Sequence, residues 1–323
     1  MVNIQHASTY TGHDDNVFCL AFSPNSDLLA TGSRDTTIHI TRVSDICHSS
    51  LRSESEASGV EILHFAQNDT GELAGLRPYI FREHTHPVLS LAWSPDGRFI
   101  ASGDTTGIIH VWEAATGTIS ATYHGHTRFV RSIAWSPDGT SIVSGGDYGD
   151  STVQVWEAIT DKHIFWHRSQ YRIFGVSWEP LGSHIVSCSF DGSVQIWDAF
   201  TGELMQDYRQ HAGPVYAASW SPDGQHIASA GQDSIIHVWE PFTGRTITRY
   251  TGHTDAIKTL AWSPDSRSIV SGSDDRTVQV WQATRGERIF LDNGYTKWIH
   301  AVGWSRDGKW IAAASGKAVK LLF

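Results

Sequence analysis

His253, Ser271 and Asp275 stand within one short stretch, "TGHTDAIKTLAWSPDSRSIVSGSDDRTVQVW". A hydroxyl nucleophile, an imidazole base and a carboxylate to orient it are the ingredients of hydrolase chemistry. The same offsets return at His211, Ser229 and Asp233, and again, with a slightly longer turn, at His126, Ser144 and Asp150. An enzyme needs one such set. A set that recurs about every 42 residues belongs to a repeating unit, and the elements that carry it decide what it does.

Two rulers give the period. An aromatic falls at Phe22, Trp93, Trp135, Trp178, Trp220, Trp262 and Trp304, with steps of 71, 42, 43, 42, 42 and 42. A second aromatic closes the "VQVW" or "IHVW" runs at Trp112, Trp156, Trp197, Trp239 and Trp281, and Thr41 and Leu322 take that place in the first and last units. There are seven units. Each reads as short alternating strands parted by Pro-, Gly- and Asp-containing turns, the pattern of an all-β closed array. Trp166, Trp298 and Trp310 lie off both rulers.

The "GH", "WSPDG" and "VW" elements, repeated over nearly the whole chain, resemble WD40 repeats in their bacterial form. The resemblance implies an all-β, seven-bladed propeller over residues 1–323, with four antiparallel strands per blade. Phe323 falls just past a third strand, and residues 3–10 precede the first "GH". The N-terminal strand is therefore expected to complete the C-terminal blade, leaving no open sheet edge.

The resemblance also assigns the recurring polar residues to buried hydrogen-bonded networks that hold the fold: His126, Ser144, Asp150 and Trp156; His211, Ser229, Asp233 and Trp239; His253, Ser271, Asp275 and Trp281. A buried Asp must be paired or hydrogen-bonded, which suits that role. Unit 1 keeps His13, Thr31 and Asp35; unit 2 has Thr106 where Asp is expected; unit 4 has Ser169 in place of His; unit 7 has lost the set. No catalytic residues remain once the networks are set aside. His39, His110 and His237 alternate with Gln154, Gln195 and Gln279 at one strand position, expected to face outward. Without HxH or HExxH spacing, neither a metal nor another cofactor is expected.

Function is then expected on what varies between units. On the face formed by the loops into the first strands, the varying slots hold Phe129, Arg131, Arg172, Phe174, Phe190, Tyr216, Lys258 and Trp298. Aromatics and Arg dominate protein-binding hot spots. The expected function is a non-catalytic scaffold for a protein or peptide segment, acidic because three cations share the face. Alternatives are a regulatory propeller working beside a catalytic domain on another chain, and a propeller enzyme.

The net charge of −10 argues against a nucleic-acid partner. No run approaches the roughly 18 apolar residues of a membrane span. No leader is visible, and three Cys suit a reducing compartment, so a cytoplasmic monomer is expected. The 71-residue step exceeds the period by 29. The excess, about residues 46–74, reads as a dispensable loop inserted in the first blade; a functional arm is the other possibility.

Overall fold

The chain, described by a computed structural model over residues 7–25, 28–49, 79–160 and 162–322, forms seven four-stranded antiparallel sheets around a central channel. Blade 6 shows how the sequence does this. Its strands are Ile257–Trp262, Ser268–Ser273, Val278–Gln282 and Arg288–Asp292, running from the channel outward. The second strand is buried almost throughout and the third is buried until its last residue, because neighbouring blades cover both their faces. The fourth strand is half exposed. Apolar cores therefore lie between blades. One joins Ala228, Ala230 and Ile236 of blade 5 to Ile257, Trp262 and Trp281 of blade 6. First-strand tryptophans add a hoop: the indoles of Trp93, Trp135, Trp178 and Trp262 each donate to a backbone carbonyl of the preceding blade at 3.1 Å.

The ring closes as the ends of the sequence imply. Ala7–Tyr10 pairs antiparallel with Ala318–Leu322, from Ala7 opposite Leu322 to Tyr10 opposite Val319. One sheet thus combines the first strand of the chain with the last three. Tyr10 then reaches into blade 1, its hydroxyl 2.6 Å from His39 Nδ1. Tyr123 to Gln154, Tyr208 to His237 and Tyr250 to Gln279 repeat this clamp between other blades.

These contacts overturn the outward placement of the His/Gln position. His39, His237, Gln154 and Gln279 are buried, and His110 is half-buried. His39 stacks on the network ring of His13 at 3.9 Å, and His237 on His211 at 4.0 Å. The alternation of the third strand was read correctly, but its second face is covered by the unit's own "GH" loop and by a tyrosine of the preceding blade.

Around the expected insertion, the fourth strand of blade 1 is Tyr79–Phe81. Before it, the third strand runs into a short helix, Val43–Ser49, not into a tight turn. Val43 and Ile46 are buried against Val17, Leu29, Ala312 and Leu321. Ile46, the first residue of the 46–74 segment, thus packs in the core. Residues 50–74 lie outside the described residues. No helix among the described residues is long and apolar enough to cross a membrane.

Candidate binding face

The recurring polar sets have the connectivity of a hydrolase triad and none of its access. His253 Nδ1 lies 2.7 Å from Asp275 and Nε2 lies 2.8 Å from Ser271. His211 holds Asp233 and Ser229 at 2.9 and 2.8 Å, and His126 holds Asp150 and Ser144 at 3.0 and 2.7 Å. The His side chains have no exposed surface, and Ser144, Ser229 and Ser271 are fully buried. Trp156 and Trp239 also donate to those hydroxyls at 3.3 and 3.2 Å. No acyl group can reach such a serine. Burial alone would raise the carboxyl pKa of Asp275, but bonds from His253, Thr277 and Thr254 outweigh it and hold the group well below the usual range.

Two placements differ from expectation. The Trp281 indole N–H is buried without a partner, so it does not close the network of blade 6; the Ser271 hydroxyl instead points to the Gln279 carbonyl at 3.5 Å. In blade 2 the set is complete after all. Asp104, two residues before the expected slot, bonds His84 at 3.0 Å, and His84 bonds Ser102 at 2.8 Å. Thr106 donates to Asp104 at 2.5 Å and is a member of the network, not a gap in it.

His211, Asp233 and His237 each bring one ligand-type atom within 4.8 Å of the others. Both nitrogens of His211 are engaged, and the rings stack 16° from parallel. Imidazole lone pairs lie in the ring plane, so stacked rings do not converge on one ion. The group is a hydrogen-bonded stack.

The varying residues are aimed by a device the sequence did not reveal. Every first strand has a β-bulge against its second strand, at the same slot. The seven bulged residues are Phe18, Leu89, Arg131, Phe174, Tyr216, Lys258 and His300. A bulge leaves one residue unpaired and re-aims its side chain. Here it turns seven side chains of six kinds toward the mouth of the channel. Phe174 meets Tyr216 at 5.0 Å, Lys258 Nζ sits 3.9 Å over the Tyr216 ring, and Phe18 meets His300 at 5.4 Å. Burial first, and nearby cations next, hold the His300 pKa below its ordinary value despite Asp274.

Exposure sorts the candidates. Trp298 is 58% exposed, Phe190 45% and Phe129 38%. Phe174 and Tyr216 are half-buried; Phe174 also packs on the blade 4–5 core, and the Tyr216 hydroxyl donates to Gln232 at 2.7 Å. The cations are less free than their number suggests. Arg131 donates to buried Asp147 at 2.7 Å, and Arg172 lies 3.7 Å from the same carboxylate. Lys258 pairs with Asp274 at 3.2 Å. Three cations against two carboxylates leave one positive charge, not three.

Arg172 is also held between the rings of Tyr148 and Phe190, 4.7 and 5.5 Å from their centroids. Its flank opens as a cleft of about 740 Å³ that includes Tyr148, Arg168 and Tyr171. A second cleft of about 660 Å³ lies by Phe18, Asp274, Trp298 and His300. Sequence reasoning missed Asp147, Tyr148 and Tyr171. The signal was the longer interval between Trp135 and Trp178, whose extra length includes the turn bearing Asp147 and Tyr148.

The "WD domain, G-beta repeat" family matches seven segments: residues 4–41, 76–113, 117–157, 161–198, 202–240, 244–282 and 286–321. The chain is 26% identical over 60% of its length to "Periodic tryptophan protein 2" of Arabidopsis thaliana, covering 23% of that protein. It is 24% identical over 64% to the "F-box-like/WD repeat-containing protein TBL1X" of Mus musculus, covering 28%. It is 26% identical over 61% to "Probable cytosolic iron-sulfur protein assembly protein 1" of Cryptococcus neoformans var. neoformans serotype D, covering 40%. The match thus spans well under half the length of these relatives. With seven matched repeats on seven closed blades, the chain belongs to the WD40 repeat family.

Proposed function

We propose that this propeller is a non-catalytic scaffold that binds a protein or peptide segment across the upper mouth of its channel. Propellers of this family generally serve as interaction platforms for other proteins. The observation that carries the assignment is the ring of bulges, which brings one side chain to the mouth from every blade, six kinds among the seven. Phe129, Phe190 and Trp298 are the exposed anchors; Arg131 and Arg172, with Lys258, favour an acidic segment by the one positive charge they retain. Phe174 and Tyr216 form the floor. The scaffold works as a cytoplasmic monomer without a cofactor, and with neither nucleic acid nor membrane as its partner.

An array of acidic peptides tests this. Wild type should retain a subset, and Phe129→Ala/Trp298→Ala should weaken their binding at least tenfold, about 1.4 kcal/mol or more, with an unchanged melting temperature. Retention of no peptide, or equal retention by both proteins, refutes it.

A further inference from the structure

The opposite face of the ring carries a second feature. It is built from the turns between first and second strands and those between third and fourth strands. In blades 2, 3, 5, 6 and 7 the first of these turns holds an Asp that accepts from the Ser two residues before it, as Ser221 does to Asp223 at 2.5 Å. Blade 4 breaks the rule with "EPLG": Glu179 replaces the Ser and bonds His184 at 2.8 Å, and Leu181 replaces the Asp. Leu181 is 84% exposed.

The other turn varies in the same sector. Its tip is Ala115 in blade 2 and Thr284 in blade 6, but Ile159, Phe200 and Phe242 in blades 3, 4 and 5. Phe200 is 71% exposed and Phe242 52%. The tips are joined. Phe242 meets His184 of blade 4 at 5.0 Å, edge to face. The backbone of Ala199, next to Phe200, donates to Ser183 at 2.9 Å, two residues from Leu181. Adjoining apolar tips at slots that sibling blades fill with Asp, Ala or Thr are costly to leave in water.

The charge around them names the partner. The six turns of blades 3–5 on this face hold seven carboxylates among the described residues against two cations, Lys162 and Arg245. Each cation is already paired with a glutamate of its own turn. A second copy of this face would bring like charges together. We infer that the lower face of blades 3–5 is a second docking surface, for a basic amphipathic segment of another protein: apolar side chains seat on Leu181, Phe200 and Phe242, and flanking Lys or Arg meet the carboxylate rim. This surface is independent of the upper mouth.

The sibling blades supply the test variant, Leu181→Asp/Phe200→Thr/Phe242→Ala, in which each new residue is one its slot already holds elsewhere in the ring. The probe is a fluorescein-labelled amphipathic peptide of leucine and lysine, followed by anisotropy. Wild type should bind it, more weakly at high salt, and the triple variant should bind at least tenfold more weakly with an unchanged melting temperature. The added carboxylate makes the face more acidic, so that loss reports the apolar anchors alone. The upper-face variant Phe129→Ala/Trp298→Ala should bind this peptide like wild type, which separates failure of one surface from failure of the other. Absence of binding, equal binding by the triple variant, or equal binding of a leucine–glutamate peptide overturns the inference. So does a dimer in sedimentation that the triple variant abolishes, since it would give the face to a second copy.

Discussion

Replacing Asp275 with alanine removes the acceptor for four donors: His253 Nδ1 at 2.7 Å, Thr254 N at 3.1 Å, and the N and Oγ1 of Thr277 at 2.9 and 2.7 Å. Thr254 is exposed and water replaces its bond. His253 is sealed and Thr277 is half-buried, so they bear the loss, at roughly 1–3 kcal/mol for each unsatisfied group. Thr277 Oγ1 and Gln279 Nε2 both lie 3.2 Å from His253 Nδ1, and a change of tautomer recovers part of the loss. The expected cost is about 3 kcal/mol, a fall in melting temperature of roughly 6 °C for a ring of this size. Asp233 is the internal comparison. It bonds His211, Ala212 N and Ile235 N, but Ile235 has no hydroxyl to strand. Asp233→Ala should therefore cost about 1 kcal/mol less than Asp275→Ala. Urea titrations of wild type and both variants measure the difference, provided the slopes agree. Equal costs, or a shift below about 1 °C for Asp275→Ala, would refute the accounting by stranded donors.

Acid should destabilise the ring before its carboxylates titrate. Burial pushes His39 and His110 down to about 4 and His237 to about 3, while unfolded imidazole titrates near 6.5. The unfolded chain then takes up protons that the folded rings refuse, so this stability is complete above pH ~6.5 and declines as pH falls toward 4. A urea midpoint that is flat from pH 7.5 to 4.5 would contradict this, and His237→Gln, the residue of blades 3, 4 and 6, should flatten the slope. Ile46→Ala should cost about 2–4 kcal/mol by thermal melting, since it opens a cavity under the closing blade; a neutral result would show that Ile46 does not brace that blade. Tyr10→Phe should cost about 1 kcal/mol through the lost bond to His39, and hydrogen exchange should quicken first in Val319–Leu322.

The fold was legible because its signals repeat. Seven aromatics in register and the approach histidines of five units identify the blades, and the incomplete ends identify the closure. What was not legible is how one unit meets the next. His39 and Gln154 look like surface residues on an alternating strand, since what buries them, the unit's own "GH" loop and a tyrosine of the preceding blade, lies far off in sequence. Asp104 was passed over because a backbone turn, not a sequence offset, decides which carboxylate reaches His84. The mouth residues were found as slots that vary, but spacing does not reveal that Arg131 and Arg172 share Asp147. Leu181 was visible as a departure from "SPDG"; its meaning needed the neighbours at Phe200 and Phe242, which lie on other turns.

The register of the closing pair bears on mechanical load. Ala7 faces Leu322, so the two strands enter and leave the ring at the same end of the pair. Tension drawn through both would not shear the four pairings together. It would unzip them one at a time, from Ala7–Leu322 inward to Tyr10–Val319, and then reach the Tyr10 clamp on blade 1. A pull across any other blade, applied at two distant turns, would load whole sheets at once. The ring is weakest along the direction in which its own backbone arrives and departs.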